Sequence, residues 1–343
     1  MPDTAPDTTH GRQCVLLFGM PRSGTTWLGK LFDSHPHVLY RHEPDTWRSV
    51  RIAEDTDPAR PGPGDELRAF MAMLPDIRAI RVAGKRPLFP KAWTSGITQK
   101  LASGAVEIAR VASRVYPDFP VLVHANGKRD PERVVVWKSI QSLPGLGSAL
   151  RTLDQARGIH ILRHPCGYIA SIRRGMASNS FSNGAADSNA YGAIGRIVGT
   201  PMGEQLGFDK NFTRTLKALT PEERLAWMWV VSNESARRNA QDTGRYMAVR
   251  YEDVCREPLA QVTRMFSFCN LAMQPQTEAF ISASTGKKSQ DGYYSVYKNP
   301  EAAAWRWQQE LDAQTIERIM AIATRSESGR SYLDLSPPAT RSA

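Results

Sequence analysis

One stretch near the start of the chain limits what it can fold into more than any other. The apolar run Cys14-Val-Leu-Leu-Phe18 breaks at Gly19-Met-Pro-Arg-Ser-Gly24, and Thr25-Thr-Trp-Leu-Gly-Lys-Leu-Phe32 follows with Leu28, Leu31 and Phe32 at helical spacing. A buried strand, a glycine-bearing turn and a helix in that order open an α/β fold. Later segments keep the alternation. Arg133-Val-Val-Val-Trp-Lys138 and Gly158-Ile-His-Ile-Leu-Arg163 read as buried strands, as does the shorter Val121-Leu-Val123, and Arg245–Tyr251 as a late strand. Helical patterns fall over 65–74, 97–115 and 166–177. Thr220-Pro-Glu-Glu223 carries a cap, a first-turn proline and a capping-box glutamate for a helix reaching about 241, and a further helix begins near Pro258. Strands alternating with helices predict a P-loop-type, mostly parallel sheet with helices on both faces.

The chain is 343 residues long, enough for one large α/β domain with its own core. A single domain over 13–325 is expected, with a flexible N-terminus (1–12), a C-terminal tail (326–343), and insertions at about 48–120 and 178–210. No apolar stretch is long enough to predict a membrane span, and the polar N-terminus lacks a signal-peptide core. Cys14, Cys166, Cys255 and Cys269 have neither zinc-site nor disulfide-framework spacing, so no metal is expected and a reducing cytoplasm is the default. The 44 Lys+Arg against 34 Asp+Glu leave +10, which suits an anionic partner. Those cations are dispersed rather than gathered in a tail, which argues against a nucleic-acid arm.

Set against G-x-x-x-x-G-K-[ST], the turn has Gly19 and Gly24 correctly spaced and Thr26 at the hydroxyl position, but Thr25 in the lysine slot. Backbone N–H groups at the helix start can still hold an anion, while the ammonium that reaches the β/γ-phosphates of a nucleoside triphosphate is missing. Arg22 supplies a cation just before Ser23. Glycine spacing alone would also fit an ordinary turn; the strand, the helix and the Arg-Ser-Gly-Thr-Thr-Trp run favour an anion loop.

Pro21-Arg-Ser-Gly-Thr-Thr-Trp-Leu28 closely resembles the 5′-phosphosulfate loop of sulfotransferases that use 3′-phosphoadenylyl sulfate (PAPS). The resemblance implies that Arg22, Ser23, Gly24, Thr25, Thr26 and Trp27 bind the donor and that Arg22 assists transfer. Arg163-His-Pro-Cys-Gly-Tyr-Ile-Ala-Ser171 resembles the family's 3′-phosphate signature, with Arg163 forking onto that phosphate and Ser171 adding a hydroxyl bond. His164 departs from the pattern, since many relatives carry Asp there. Arg250-Tyr-Glu-Asp-Val254 resembles a third element, which implies Tyr251 near the adenine, although a core tyrosine fits equally well. Tyr294–Pro300 with Trp305-Arg-Trp307 resembles the C-terminal segment of carbohydrate sulfotransferases, which implies Lys298 in a lid over the nucleotide; Lys287 and Lys288 compete for the 3′-phosphate. The resemblance spans about residues 13–310, closest to bacterial and carbohydrate-type sulfotransferases.

Sulfuryl transfer needs a base for the acceptor hydroxyl and cations for the sulfuryl oxygens and the leaving phosphate. Small-molecule sulfotransferases carry the base in a Lys-Thr-His run; the matching Lys138-Ser-Ile140 is apolar where that histidine would stand. His35-Pro-His-Val-Leu-Tyr-Arg-His-Glu-Pro44 resembles the Glu-Pro element of carbohydrate and several bacterial sulfotransferases, where the glutamate lies beside the acceptor. Glu43 is therefore placed first as base and His42 second, with Lys138 at the sulfuryl group or the acceptor. An ion pair of Glu43 with Arg41 or Arg48 is the structural alternative, and Trp47 and Trp93 can stack on a sugar or simply pack. The expected activity is transfer from PAPS, leaving as PAP, to a hydroxyl on a small molecule or carbohydrate, with no nucleic-acid partner. A P-loop kinase or NTPase, and a non-catalytic binder of polyanions, are the competing readings.

Overall fold

The computed structural model describes residues 13–50, 52, 64–84, 86–94, 133–177, 192–208, 212–286 and 300–335. The strand expected at 121–123, the helix at 97–115, more than half of the insertion at 48–120 and residues 178–191 and 209–210 of the second lie outside these residues. Five strands, β1 (Cys14–Gly19), β2 (Val38–His42), β3 (Val134–Ser139), β4 (Ala156–Leu162) and β5 (Tyr246–Arg250), form one sheet in the order β2-β3-β1-β4-β5. Every pairing is parallel, so the expected α/β architecture is present. Parallel strands joined by crossovers need helices on both faces.

The sequence of β1 shows how the two faces are made. Leu16 and Phe18 point into a core with helices Pro165–Ala177, Pro221–Gln241 and Ala313–Ala323. Val15 and Leu17 point into the opposite core, against α1 (Thr25–Asp33) and helices Pro258–Phe268 and Pro275–Thr285. Side chains alternate across a strand, so a continuous apolar run fills both layers. The Pro221–Gln241 helix begins as its sequence predicts: Thr220 accepts from the Glu223 N–H while the Glu223 carboxylate accepts from the Thr220 N–H.

Two boundaries differ from expectation. The late strand stops at Arg250, and Tyr251–Arg256 turns at once into a short helix. Tyr251, Val254 and Cys255 are all buried from its one face, a helical spacing that outweighs the short strand-like pattern before it. The fold also continues past residue 325. Helix Glu327–Arg330 is anchored where the Glu234 carboxylate accepts from the N–H and hydroxyl of Ser328, and Tyr332 is buried.

The parallel order brings the carboxyl ends of all five strands to one edge, where α/β proteins bind their ligands. From one side to the other, that edge carries Glu43 after β2, Lys138 at the end of β3, the Gly19–Gly24 turn after β1, Arg163 after β4 and Tyr251 after β5.

Candidate active site

The turn after β1 is built around Gly24. Its φ of +86° lies in the left-handed region, and a Cβ there would sit 2.3 Å from the Tyr251 ring. Glycine is needed on both counts. No side chain caps α1; the Trp27 N–H donates to the Gly24 carbonyl at 3.1 Å, and the positive end of the helix dipole lies behind the turn. Arg22 is also left-handed, at φ +69°. Ser23 and Thr25 are buried, Thr26 is half-buried, and the Trp27 indole N–H donates to the Ser284 hydroxyl at 3.2 Å.

Beside the turn stands Arg163, 8% exposed. Its Nη1 donates to the Arg22 carbonyl at 2.7 Å and its Nη2 to the Ala303 carbonyl at 3.2 Å, and its guanidinium lies 5.0 Å from the centre of the Tyr251 ring. Its Nε has no hydrogen-bond partner among the described residues. A buried guanidinium N–H without an acceptor is costly unless an anion meets it, so the arrangement fits a phosphate. Arg22 Nε donates to the Ser171 hydroxyl at 3.0 Å, which ties the loop to helix Pro165–Ala177. The two motifs that carry the resemblance thus meet in space. Tyr251 lies against Gly24 and edge-on to Trp27, at 6.1 Å and 84°, and it supports the loop from below.

His164, the departure from the family pattern, is buried and stacks on Trp307 at 4.4 Å and 14°. Burial and the neighbouring Arg163 guanidinium hold it neutral, with a pKa lowered to about 3. The His164 N–H donates to Glu252 Oε1 at 2.9 Å. Glu252 is 1% exposed, and burial pushes its carboxyl up to about 7 against the opposing pull of Arg163.

On the other side of β1, register sets a second group of residues. His42 of β2 pairs with Lys138 of β3, and the Glu43 N–H donates to the Lys138 carbonyl at 2.8 Å. Glu43 then takes a left-handed conformation, φ 45° and ψ 51°, before Pro44 opens the short helix α2 (Pro44–Trp47). A non-glycine residue held there costs roughly 1–3 kcal/mol, and such strain gathers at functional sites. The turn aims the carboxylate at the Lys138 ammonium, which donates to Glu43 Oε1. The Lys138 side chain is 1% exposed and that of Glu43 20%, so this is one buried cation meeting a carboxylate that still reaches solvent. His42 Nε2 stands 3.8 Å from the same Glu43 oxygen. The structural alternative, a pair with Arg41 or Arg48, is not what forms: Arg41 is buried and donates to the carbonyls of Leu74 and Pro75 at 2.7 and 2.8 Å, and Arg48 Nη1 donates to Met73 Sδ at 3.2 Å.

Asp45 is the residue that sequence reasoning missed. Buried at the start of α2, it accepts from the Ser139 hydroxyl, from the Ser142 hydroxyl at 2.7 Å and from the Trp137 indole N–H at 3.4 Å. These bonds fasten α2 to the end of β3 and so hold Glu43 against Lys138. Trp47 and Trp93 are half-buried against the core, and the Arg133 guanidinium lies 5.6 Å from the Trp93 ring centre. Lys287, Lys288 and Lys298 lie outside the described residues. Among the described residues no cluster of histidine, cysteine and carboxylate could hold a metal ion, and no helix is long and apolar enough to cross a membrane.

A parallel sheet with an uncapped helix start and a buried arginine at its carboxyl edge defines an α/β protein whose ligands are expected at that edge. Comparison with known proteins narrows that class. The model of the sulfotransferase family matches residues 14–198, more than half of the chain, and the chain belongs to that family of transferases. It is 23% identical to carbohydrate sulfotransferase 5 of Homo sapiens, over 93% of this chain and 77% of that protein. It is 34% identical to carbohydrate sulfotransferase 3 of Mus musculus over 79 residues, which are 23% of this chain and 17% of that protein. Among solved structures, mouse sulfotransferase SULT7A1 complexed with PAP aligns with a TM-score of 0.44 and 11% identity, over 94% of this chain and 89% of that one.

Proposed function

We propose that this sulfotransferase moves a sulfuryl group from PAPS to a hydroxyl of a carbohydrate or glycosylated metabolite, with Glu43 as the general base. The observation that carries the reading is the meeting of Arg22, Ser171 and the buried Arg163, whose Nε meets no acceptor among the described residues. Two segments that resemble phosphate-recognition elements, joined by residues 149 positions apart, meet at one edge of the sheet, which suits a donor with phosphate at both ends. The similarity to carbohydrate sulfotransferases supports a sugar acceptor.

PAPS supplies an activated sulfuryl group: the acceptor oxygen bonds to sulfur as the bond from sulfur to the 5′-phosphate oxygen breaks, and PAP leaves with that electron pair. The protein's share of the work falls to named groups. The loop N–H groups and Arg22 hold the 5′ end, and Arg163 and Ser171 hold the 3′-phosphate. Glu43 takes the acceptor's proton. As it does so its charge is neutralised, and the Lys138 ammonium is released to a sulfuryl oxygen as negative charge develops there. The exchange needs the pair to be in contact beforehand, as it is. Lys298 in a lid over the nucleotide, with Lys287 and Lys288 as competing contacts to the 3′-phosphate, belongs to this proposal, and a cytoplasmic location does too, supported by four free, buried cysteines.

The test is a transfer assay with PAPS across sugar, phenol, lipid and peptide acceptors, read by the mass of the sulfated product, beside a thermal-shift titration with PAP. Transfer to a sugar hydroxyl and stabilisation by PAP are expected. Absence of both overturns the reading, and strong ATP·Mg²⁺ binding without PAP binding would move the assignment to a phosphotransferase.

A further inference from the structure

We infer that Tyr40 fixes the tautomer of His42, so that His42 presents an N–H to Glu43 and orients that carboxylate instead of accepting a proton itself. The inference rests on the reading of Glu43 as base for its meaning, though not for its physical evidence.

Tyr40 and His42 are two apart on β2, so their side chains share one face. Tyr40 is 2% exposed, and its hydroxyl lies 2.8 Å from His42 Nδ1. A Cβ on Gly29 would come within 2.5 Å of the oxygen, so the bare backbone of α1 closes one side of that hydroxyl. The Lys30 ammonium lies 5.5 Å from the ring centre and offers a charge but no acceptor. Burial and the Asp33 and Glu43 charges push the phenol well above its ordinary pKa, so the hydroxyl keeps its proton. A buried O–H must place that proton on an acceptor, and among the described residues the one at hydrogen-bond distance is Nδ1.

Whenever the imidazole is neutral, Nδ1 is then its bare nitrogen and Nε2 carries the hydrogen. The far side of the ring agrees independently. Nε2 stands 3.8 Å from Glu43 Oε1, where a lone pair would face a carboxylate and an N–H is attracted to it. That separation is beyond hydrogen-bond length, so the contact orients Glu43 electrostatically. Both ends of the imidazole thus call for one tautomer, and a nitrogen already carrying its hydrogen toward Glu43 is not the one that deprotonates the acceptor. Tyr40 is a positioning residue, acting through His42.

The test reads the tautomer directly. Long-range ¹H–¹⁵N correlation spectra of the full chain at about pH 8, where an ordinary imidazole is neutral, are assigned to His42 by loss of its signals in His42→Gln. The expected wild-type pattern is a bare Nδ1 and a protonated Nε2, and Tyr40→Phe is expected to shift it toward a tautomer mixture. A wild-type Nδ1–H, or a pattern indifferent to Tyr40→Phe, overturns the inference. If Tyr40→Phe fails to fold, the wild-type spectrum decides alone. Kinetics give a second arm. Gln places an N–H near the position of Nε2 and Asn does not, so His42→Gln is expected to lose ~10-fold less kcat than His42→Asn, at unchanged KM for the donor. Equal losses of ~10³-fold or more in both variants would make His42 the proton acceptor and overturn the assignment. A wild-type protein without transfer activity would overturn the proposed function instead, leaving the spectra readable.

Discussion

Arg22 Nε donates to Ser171 Oγ at 3.0 Å, and this single bond joins the loop after β1 to the helix after β4. Arg22 reaches it from a left-handed backbone, while its own carbonyl accepts from Arg163. The arginine is thereby held at both its backbone and its side chain, between the two segments assigned to the ends of the donor.

Removing that hold should weaken donor binding more than it weakens the fold. Arg163→Lys loses the fork that bonds the loop carbonyl while keeping the charge. We expect PAP affinity to fall at least ~10-fold in Arg163→Lys, by ~1.4 kcal/mol or more, measured by calorimetric titration. Unchanged affinity would remove Arg163 from the phosphate site.

Glu43→Gln keeps the shape of the side chain and removes its basicity. Loss of a general base costs about 10²–10⁴-fold in kcat, and the PAP-induced thermal shift should persist because donor contacts lie on the other side of β1. Retention of more than about a tenth of wild-type kcat would exclude Glu43 as the base.

Stability should respond asymmetrically to the Glu43–Lys138 pair. Glu43→Ala strips a buried ammonium of its carboxylate, a loss of the kind that costs about 3–5 kcal/mol in a fully buried pair and less where one partner reaches water. Lys138→Met leaves a carboxylate that is already partly hydrated. Urea unfolding should therefore rank Glu43→Ala as less stable than the double variant Glu43→Ala/Lys138→Met. The opposite order would mean that Lys138 is held chiefly by other contacts.

Glu252 ties stability to pH. Its folded pKa, about 7, is raised above the ordinary carboxylate value of 4.5, so between those values the folded chain binds the extra proton. Stability from this group is present below about pH 4.5 and is lost as pH rises through 7. Glu252→Gln stays neutral and can still accept from the His164 N–H. It should be more stable than wild type at pH 8, on the order of a few kcal/mol, with the advantage gone near pH 4.5. A pH-independent difference in melting temperature would contradict this.

Gly24→Ala should be among the most damaging single-methyl changes in the chain. The added carbon meets the Tyr251 ring at 2.3 Å on a backbone that L-residues avoid. A lowered melting temperature and loss of PAP binding are expected together, and a well-folded variant that still binds PAP would show that the loop can move aside.

Much of this was legible in the chain itself, because it was written in local patterns. The turn at Gly19–Gly24 declares itself by glycine spacing between a strand and a helix, and the helix at Pro221 by its capping box. The missed features depend on distant partners. Asp45 gathers its donors from residues 92–97 positions away, and nothing near it in the sequence marks it as a clasp. Strand order likewise follows from crossover packing, which leaves no local trace. The Tyr40–His42 contact was available, since alternation on a strand puts both on one face, but the Glu-Pro resemblance drew attention to position 43. The helix at Tyr251 was hidden by the strand that runs straight into it.

The strand order β2-β3-β1-β4-β5 has a consequence for how such a chain can change. The groups assigned to the phosphates of the donor among the described residues follow β1 and β4, while Glu43, assigned to the acceptor's proton, follows β2, with Lys138 of β3 between them. Substitutions that reshape the acceptor side are separated from the nucleotide's anchors by the width of a strand. Such a layout lets a lineage exchange the molecule it modifies while keeping the reagent it modifies it with.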